Sequence, residues 1–292
     1  MTPAQLSRTV LHALHGLVDD TGSRVSLPER AVIESPPRHG HADYATGVLL
    51  RLARAAGTAP GPLARRLAAR LERQPGIGRV EAASAGFVTV TLNATGRAAL
   101  VRELCSLEHQ PSPTDDPARD AANWTAATAR RPAVARASAQ PSAPARAPAP
   151  ALAQSPAPAQ LLVRTEESSP LFRVQYAHAR ARALLRNGAA LGVEPAPGAG
   201  GYACAEPAER ALLALLADHA RVAAAGRPDR HARHLDDIAR AFRHCHDACP
   251  PLPHGPEKPE AAHRARLALA EATGTVLAGG LTQLGVTAPA HL

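Results

Sequence analysis

The hydrophobic positions of residues 1–107 follow two different periods. Apolar residues three or four positions apart predict three helices, with stripes at Leu6, Val10, Leu14 and Leu17, at Val48, Leu49, Leu52 and Ala56, and at Leu63, Leu67 and Leu71. We expect Asp43 to cap the second helix and Pro62 to begin the third. Alternation in steps of two predicts strands at 79–83 and 87–92, with a further short strand at 31–34. Together these elements predict an α+β domain with helices on one face of a small antiparallel sheet.

Residues 166–292 show only the helical period. Ser169 and Pro170 predict a helix start and Gly188 its end, and further helices are expected at 206–225 and about 259–284. Between these two, a third helix ends before Pro250 and Pro251. Its apolar stripe is Leu235, Ile238, Phe242, Cys245 and Cys249. This part of the chain is therefore predicted to be an all-α helical bundle.

The segment between the two predicted domains has a different composition. Residues 111–165 are dominated by Pro, Ala, Ser, Gln and Arg, and they offer little apolar surface to offset the entropy lost on ordering. We predict domains at 1–107 and 166–292 and a disordered linker at 108–165. Trp124, the only tryptophan, lies inside this linker and is interpreted as a short docking element.

Charge and composition narrow the range of partners. The net charge is +8, and only one of the 33 basic residues, Lys258, is a lysine. With the Ala and Pro excess, this bias is typical of GC-rich coding, so abundant arginine alone is weak evidence for nucleic-acid binding. Residues 1–165 hold 19 basic and 12 acidic residues, and residues 166–292 hold 14 and 13. A polyanionic partner is allowed, chiefly for the first half.

Targeting signals are not evident in the sequence. No run of about 20 apolar residues is present, and the first residues lack a charged stretch followed by an apolar one. The four cysteines follow no paired spacing. We therefore expect a cytoplasmic protein without a membrane contact.

The first helix of the C-terminal part carries a candidate binding face. Gln175, His178, Arg182 and Arg186 are three, four and four residues apart and share one side of the helix. These residue types suit hydrogen bonds to phosphates and base edges. The alternative is an ordinary solvated helix face.

The same helix resembles a known family. Residues 174–180, Val-Gln-Tyr-Ala-His-Ala-Arg, resemble the opening of the DALR anticodon-binding domain of arginyl-tRNA synthetases. The end of the chain resembles the end of that domain, at Leu267, Leu269, Thr273, Val276, Leu277, Gly280, Leu281, Leu284, Gly285 and Val286. Residues 41–93, which include Ala-Asp-Tyr-Ala-Thr at 42–46, are similar to the additional N-terminal domain of the same synthetases. The resemblance implies tRNA contacts at the outer corner and the anticodon arm.

The catalytic part of that family is missing from the sequence. A class I synthetase carries His-x-Gly-His in a domain of roughly 200 residues or more, but here only the proline-rich segment lies between the two similar regions. His39-Gly40-His41 follows Arg38 and lies within the N-terminal resemblance, and no KMSKS-like segment is present. We therefore expect that this chain does not activate arginine and needs no cofactor.

The third predicted helix departs from the family pattern. Its usual Phe-Tyr-Asn-x-Cys-Arg stretch reads Cys245-His246-Asp247-Ala248-Cys249-Pro250 here, which removes a stacking ring and a cation. His244, Cys245, His246, Cys249 and His254 are zinc ligand types. However, four ligands on one helical turn cannot surround an ion, so we expect buried free thiols and no metal.

The favoured hypothesis is a catalytically truncated relative of arginyl-tRNA synthetase that binds tRNA, of arginine type, in trans. The resemblance and the helix faces together suggest RNA contacts at Tyr44, Arg51, Arg54, Gln175, Tyr176, His178 and Arg182. Tyr176 can equally belong to the core, because Phe172 lies one turn before it. Two alternatives stay open. One is a protein-interaction module that has lost RNA binding and docks on a synthetase or another enzyme. The other is a non-catalytic subunit of a split arginine-tRNA ligase.

Overall fold

A computed structural model describes residues 1–21, 27–34, 42–83, 85–107, 115–129, 169–202 and 204–292. The N-terminal elements are α1 (Pro3–Thr21), β1 (Tyr44–Thr46), α2 (Val48–Ala56), α3 (Pro60–Leu71), β2 (Ile77–Ala82), β3 (Val88–Leu92) and α4 (Ala94–Cys105). A further helix, α5 (Pro117–Thr128), precedes the C-terminal elements. These are α6 (Pro170–Ala190), a 3-10 turn (Ala199–Gly201), α7 (Pro207–Ala224), α8 (Pro228–Ala248) and α9 (Ala261–Gln283).

The N-terminal region is an α+β domain, as predicted. Its three strands form an antiparallel sheet in the order β1, β3, β2, and Val90 lies opposite both Tyr44 and Val80. The predicted stripe of α1 and the alternate residues of β3 meet in one core. Its fully buried members include Leu6, Val10, Leu14, Leu67, Leu71, Val88 and Val90. Burial of these side chains contributes roughly 1.5–3 kcal/mol each relative to exposure.

Several features of this domain differ from the sequence predictions. Helix α3 begins at Pro60 and not at Pro62, and α4 was not predicted. Residues 31–34 form only a single bridge, from Glu34 to Ala45, and the third strand is instead β1. Asp43 does not cap α2, which follows Gly47 and has no side-chain cap. The Asp43 carboxylate accepts a hydrogen bond from the Leu92 amide at 2.7 Å and pairs with Arg97 at 3.3 Å. It therefore joins the sheet to α4.

The C-terminal region is an all-helical bundle, also as predicted. A buried polar network ties the loop after α6 to the bundle through Glu209, whose side chain is fully buried. Tyr202 donates to Glu209 at 2.9 Å, and Arg266 Nε pairs with Glu209 at 2.7 Å. Because a buried carboxylate is costly unless paired, this network stabilises one arrangement of α7 and α9.

Helix α5 is a correction to the predicted linker. The Asp116 side chain accepts from the Ala118 amide at 2.9 Å, Pro117 begins the helix, and Trp124 is buried at 1% exposure. The helix packs on α8, and the Asn123 amide donates to the Gly285 carbonyl at 2.6 Å. Residues 117–128 thus belong to the bundle, because Trp124 buries apolar area that the average composition of the segment conceals. The rest of the predicted linker, apart from residues 115, 116 and 129, lies outside the described residues.

The two domains pack directly on each other. Helix α4 lies against α9 and α7, and the Cys105 thiol is 3.4 Å from the Ala268 carbonyl oxygen. Within the described ranges, no helix is long and apolar enough to cross a membrane.

Candidate nucleic-acid interface

A groove between α6 and α8 combines aromatic and cationic side chains. It encloses a volume of about 260 Å³. It is lined by Arg173, Tyr176, Ala177, Arg180, Ala239, Phe242, Arg243, His246 and Asp247. On each helix the lining positions recur at intervals of one, three or four residues, so the helical repeat places them on one side of their own helix. The packing of α6 on α8 then brings the two sides face to face. Such a groove can hold a planar group on the ring and an anion at its rim.

An ion pair at the edge of the groove holds the two helices together. Arg173 Nε lies 2.5 Å from Asp236 Oδ1, and both side chains are largely buried. Asp236 Oδ2 also accepts from Arg240 Nη2 at 2.9 Å. The Arg173 guanidinium therefore forms an ion pair with Asp236, and its main effect is to set the spacing between α6 and α8.

The exposed groups of the groove are suited to single-stranded nucleic acid. The Tyr176 ring stacks on Phe172 with a centroid distance of 5.8 Å, and Tyr176 is 37% exposed. One turn further along α6, Arg180 is exposed, with Nη2 3.4 Å from His246 Nε2 on α8. An exposed aromatic face beside guanidinium groups can stack a base and bind the adjacent phosphate. Of these groups, only Tyr176 is a contact that was predicted from the sequence. The sequence signal for Arg173 and Arg180 was their spacing from Tyr176, three residues before it and four after it, which places all three on one side of α6.

The polar face predicted from Gln175, His178 and Arg186 is occupied by the chain itself. Gln175 Nε2 donates to the Thr287 carbonyl and to Asp120 Oδ2, both at 3.0 Å. His178 Nδ1 lies 2.8 Å from the Pro289 carbonyl oxygen, and Arg186 donates to the Ala290 carbonyl at 3.3 Å. The expectation of an open polar face is therefore not met at Gln175 and His178. Arg182, between His178 and Arg186 in the sequence, is exposed.

The N-terminal candidates also separate into buried and exposed groups. Tyr44 is only 4% exposed, and its hydroxyl donates to the Met1 carbonyl at 2.9 Å. Burial, with a smaller contribution from the nearby Asp43, raises the Tyr44 pKa above its ordinary value. Tyr44 is thus a core residue and does not offer its ring to a ligand. Arg51 and Arg54 are exposed on α2.

An exposed ring beside α2 was missed as a candidate. Phe87, just before β3, is 43% exposed. A Cβ at Gly47 would lie 3.1 Å from the Phe87 ring and 3.4 Å from Leu50, so the two side chains meet over this glycine. Because Leu50 and Arg54 are four residues apart on α2, the ring and the arginine side chains lie on one surface. The alternation of residues 87–92 places Phe87, Thr89 and Thr91 on one face of the strand. This alternation was the sequence signal for an exposed ring at Phe87.

The cysteines near the groove are buried thiols. Cys245 and Cys249 are both free and buried, and burial raises the Cys245 pKa to about 12, so the thiol stays protonated. Across the described part of the chain, no group of three or more His, Cys, Asp or Glu side chains is arranged to hold a metal ion.

Two family models match separate parts of the chain. Residues 174–292 match the DALR anticodon binding domain, and residues 4–92 match the arginyl tRNA synthetase N terminal domain. The groove lies in the first region, apart from Arg173, and the surface around Phe87 lies in the second. Helix α5 lies in neither.

Individual relatives agree with these matches. The chain is 40% identical over 141 residues to an arginine–tRNA ligase of Pseudarthrobacter chlorophenolicus, which covers 46% of this chain and 26% of the relative. It is 42% identical over 137 residues to the corresponding ligase of Frankia alni, covering 45% and 25%. The matched region thus spans about a quarter of the length of these relatives. Thermus thermophilus arginyl-tRNA synthetase shares the fold, with a TM-score of 0.61 and 14% identity over all of both chains.

Proposed function

Because the chain joins an arginyl-tRNA synthetase N-terminal domain to a DALR anticodon-binding domain, we propose that it binds tRNA in trans, with arginine tRNAs preferred. It does so as a catalytically truncated relative of arginine–tRNA ligases. The sequence has no His-x-Gly-His, the motif that belongs to the ATP site in the family it resembles.

The observation that carries this proposal is the groove between α6 and α8. The exposed Tyr176 ring offers a stacking surface, and Arg180 lies one turn away on the same helix. Stacking of a base on an aromatic ring contributes about 1–3 kcal/mol and tolerates different bases. In this proposal the exposed Arg180 guanidinium binds a phosphate next to that base.

The surface of Phe87, Leu50, Arg51 and Arg54 supplies a second contact in this proposal. It lies in the half of the chain that carries +7 of the net charge of +8. Phosphate attraction supplies much of the affinity of any nucleic-acid complex and weakens as salt rises. We expect the N-terminal domain to contribute most of the salt dependence and the groove most of the stacking contribution.

A second candidate function is a protein-interaction module that docks on a synthetase or another enzyme. The observation that favours it is the nearly neutral C-terminal domain, in which Asp236 already pairs with two of the arginines around the groove. Docking as the non-catalytic subunit of a split ligase is a form of the same candidate.

Direct binding to tRNA distinguishes the candidates. The full chain is titrated with bulk tRNA and then with individual arginine tRNAs at about 50 and 200 mM salt. Micromolar or tighter affinity, strongly reduced at the higher salt, is expected for the tRNA proposal. An absence of binding at the lower salt would contradict it and favour a protein partner.

Matched arginine variants locate the site. Arg180→Ala is expected to weaken binding about 10-fold and to lower the slope of log Kd against log salt by about 1. Arg230→Ala is the control, because Arg230 is exposed at the opposite end of α8 from the groove. Equal losses from both variants would point to unspecific charge attraction.

A further inference from the structure

Three histidine rings are buried together between α7 and α8. His219 lies on α7, and His231 and His234 lie in the first two turns of α8. The ring centroid of His219 is 5.2 Å from that of His231 and 5.9 Å from that of His234. All three residues are between 5% and 8% exposed. We call them the histidine cluster.

Each ring of the histidine cluster has a buried nitrogen without a partner. Among the described residues, nothing hydrogen-bonds to His219 Nδ1, His231 Nε2 or His234 Nε2. An unpaired nitrogen in an apolar site lowers stability even when the ring is neutral, and a charged ring there is far more costly. The cluster is therefore compatible with burial only while the rings are neutral.

The groups around the cluster do not neutralise a charged ring. The nearest carboxylate on α7 is Asp218, and Arg221 already binds it through two hydrogen bonds of 2.6 Å. At His234, burial is the largest cause and lowers the pKa. Asp218, Asp237 and a hydrogen bond to the Leu215 backbone raise it, and Arg221 lowers it further.

Helix α9 and the N-terminal domain also lie near the cluster. From α9 the cluster meets Gly280, where a Cβ would lie 3.2 Å from His219 Cε1. In the N-terminal domain, Tyr44 interacts with Asp218, and Glu34 interacts with Arg221.

We propose that the histidine cluster is an acid-sensitive lock that holds α7 against α8. Neutral rings pack between the two helices, and protonation expels them and opens the pair. Because α8 also forms one wall of the groove, mild acid then disables the groove. This inference does not depend on what the groove binds.

The direction of the pH effect follows from the pKa values. Burial lowers the pKa of His219 to about 3 and of His231 to about 4, and it lowers that of His234 as well, with the neighbouring rings adding to the shift at His219 and His231. The unfolded chain takes up these protons near pH 6.5, so stability is complete above that pH and falls between 6.5 and about 4. At pH 5 each of His219 and His231 reduces the folding equilibrium constant by roughly 30-fold.

The test is chemical unfolding of the full chain between pH 7.5 and 5. We expect the unfolding midpoint to fall steeply as pH drops. The triple variant His219→Leu, His231→Leu, His234→Leu should lose most of that dependence, and His231→Leu alone should lose about a 30-fold part of it at pH 5. His244→Gln, an exposed histidine on α8, is the control and should behave like the unmodified chain. Equal pH dependence in His231→Leu and the unmodified chain would overturn the proposal, even if the triple variant fails to fold.

Two further readouts separate the lock from other roles. The NMR signals of the three rings should stay in the neutral form down to pH 5.5 in the folded chain, and titration of any of them near pH 6.5 would contradict the proposal. Added Zn²⁺ should leave the unfolding midpoint unchanged at pH 7.5. A rise that disappears in His231→Leu would show that the rings bind metal, and it would overturn the lock.

Discussion

Two faces of helix α6 carry similar polar residues but have different surroundings. On one face, Gln175 and His178 are covered by the end of the chain, and Asp120 also accepts a hydrogen bond from Gln175. On the other, Tyr176 and Arg180 face an open groove whose edge is closed by the Arg173–Asp236 pair. The comparison shows that residue type and helical spacing do not decide which face binds a partner. The segments packed on each face do.

The largest effect on stability is expected from removing the ion pair at the edge of the groove. Arg173→Ala leaves the Asp236 carboxylate largely buried with Arg240 still paired to it. The variant is expected to lower the free energy of unfolding by about 3 kcal/mol, the lower end of the range for a broken buried pair. Denaturant unfolding of the full chain measures this. The double variant Arg173→Met, Asp236→Leu should recover most of the loss, because it removes both charges together. A double variant no more stable than Arg173→Ala would mean that the unpaired Asp236 carboxylate is not the main cause of the lost stability.

A smaller loss of stability is expected from removing the contacts that hold the end of the chain against α6. Asp120 accepts from Gln175, from the Thr287 amide and from the Thr287 hydroxyl. Asp120→Ala is therefore expected to lower the free energy of unfolding by about 2–3 kcal/mol. It should also speed amide hydrogen exchange at residues 285–288. Unchanged exchange there would show that other contacts hold the end of the chain.

The role of Tyr176 in the open groove is tested by measuring the affinity for tRNA. Tyr176→Ala is expected to weaken tRNA binding by about 1–2 kcal/mol, because it removes a stacking surface. Tyr176→Phe keeps the ring and should bind normally. Since the ring is partly exposed, neither change should move the unfolding midpoint by much. If both variants lose affinity equally, the hydroxyl and not the ring face carries the contact.

The smallest effect is expected at Arg182. It is exposed between Gln175 and Arg186 on the covered side. Arg182→Ala should change stability by less than about 0.5 kcal/mol, and it should weaken tRNA binding less than Arg180→Ala does. An equal or larger binding loss would mean that RNA also reaches the side covered by the chain end, and the contrast between the two faces would fail.

Most of the local structure of this protein was predictable from its sequence. The stripe from Leu6 to Leu17 and the apolar run of the last helix mark their helices within a few residues, because backbone periodicity is a local property. The resemblance of residues 174–180 and of the last 27 residues to the DALR domain is likewise a matter of sequence alone. The sequence also carried a start signal for α5, in Asp116 and Pro117, but the composition of the surrounding segment concealed it.

Only the tertiary structure decided which side chains remain available. Tyr44 lies in a stretch that resembles a tRNA-binding segment, yet it is buried because its strand pairs with β3. Asp43 binds Arg97 across 54 residues, and Gln175 binds Thr287 across 112. The three rings of the histidine cluster come from two helices. Exposure, pairing and proton affinity depend on neighbours distant along the chain, and no local pattern contains them.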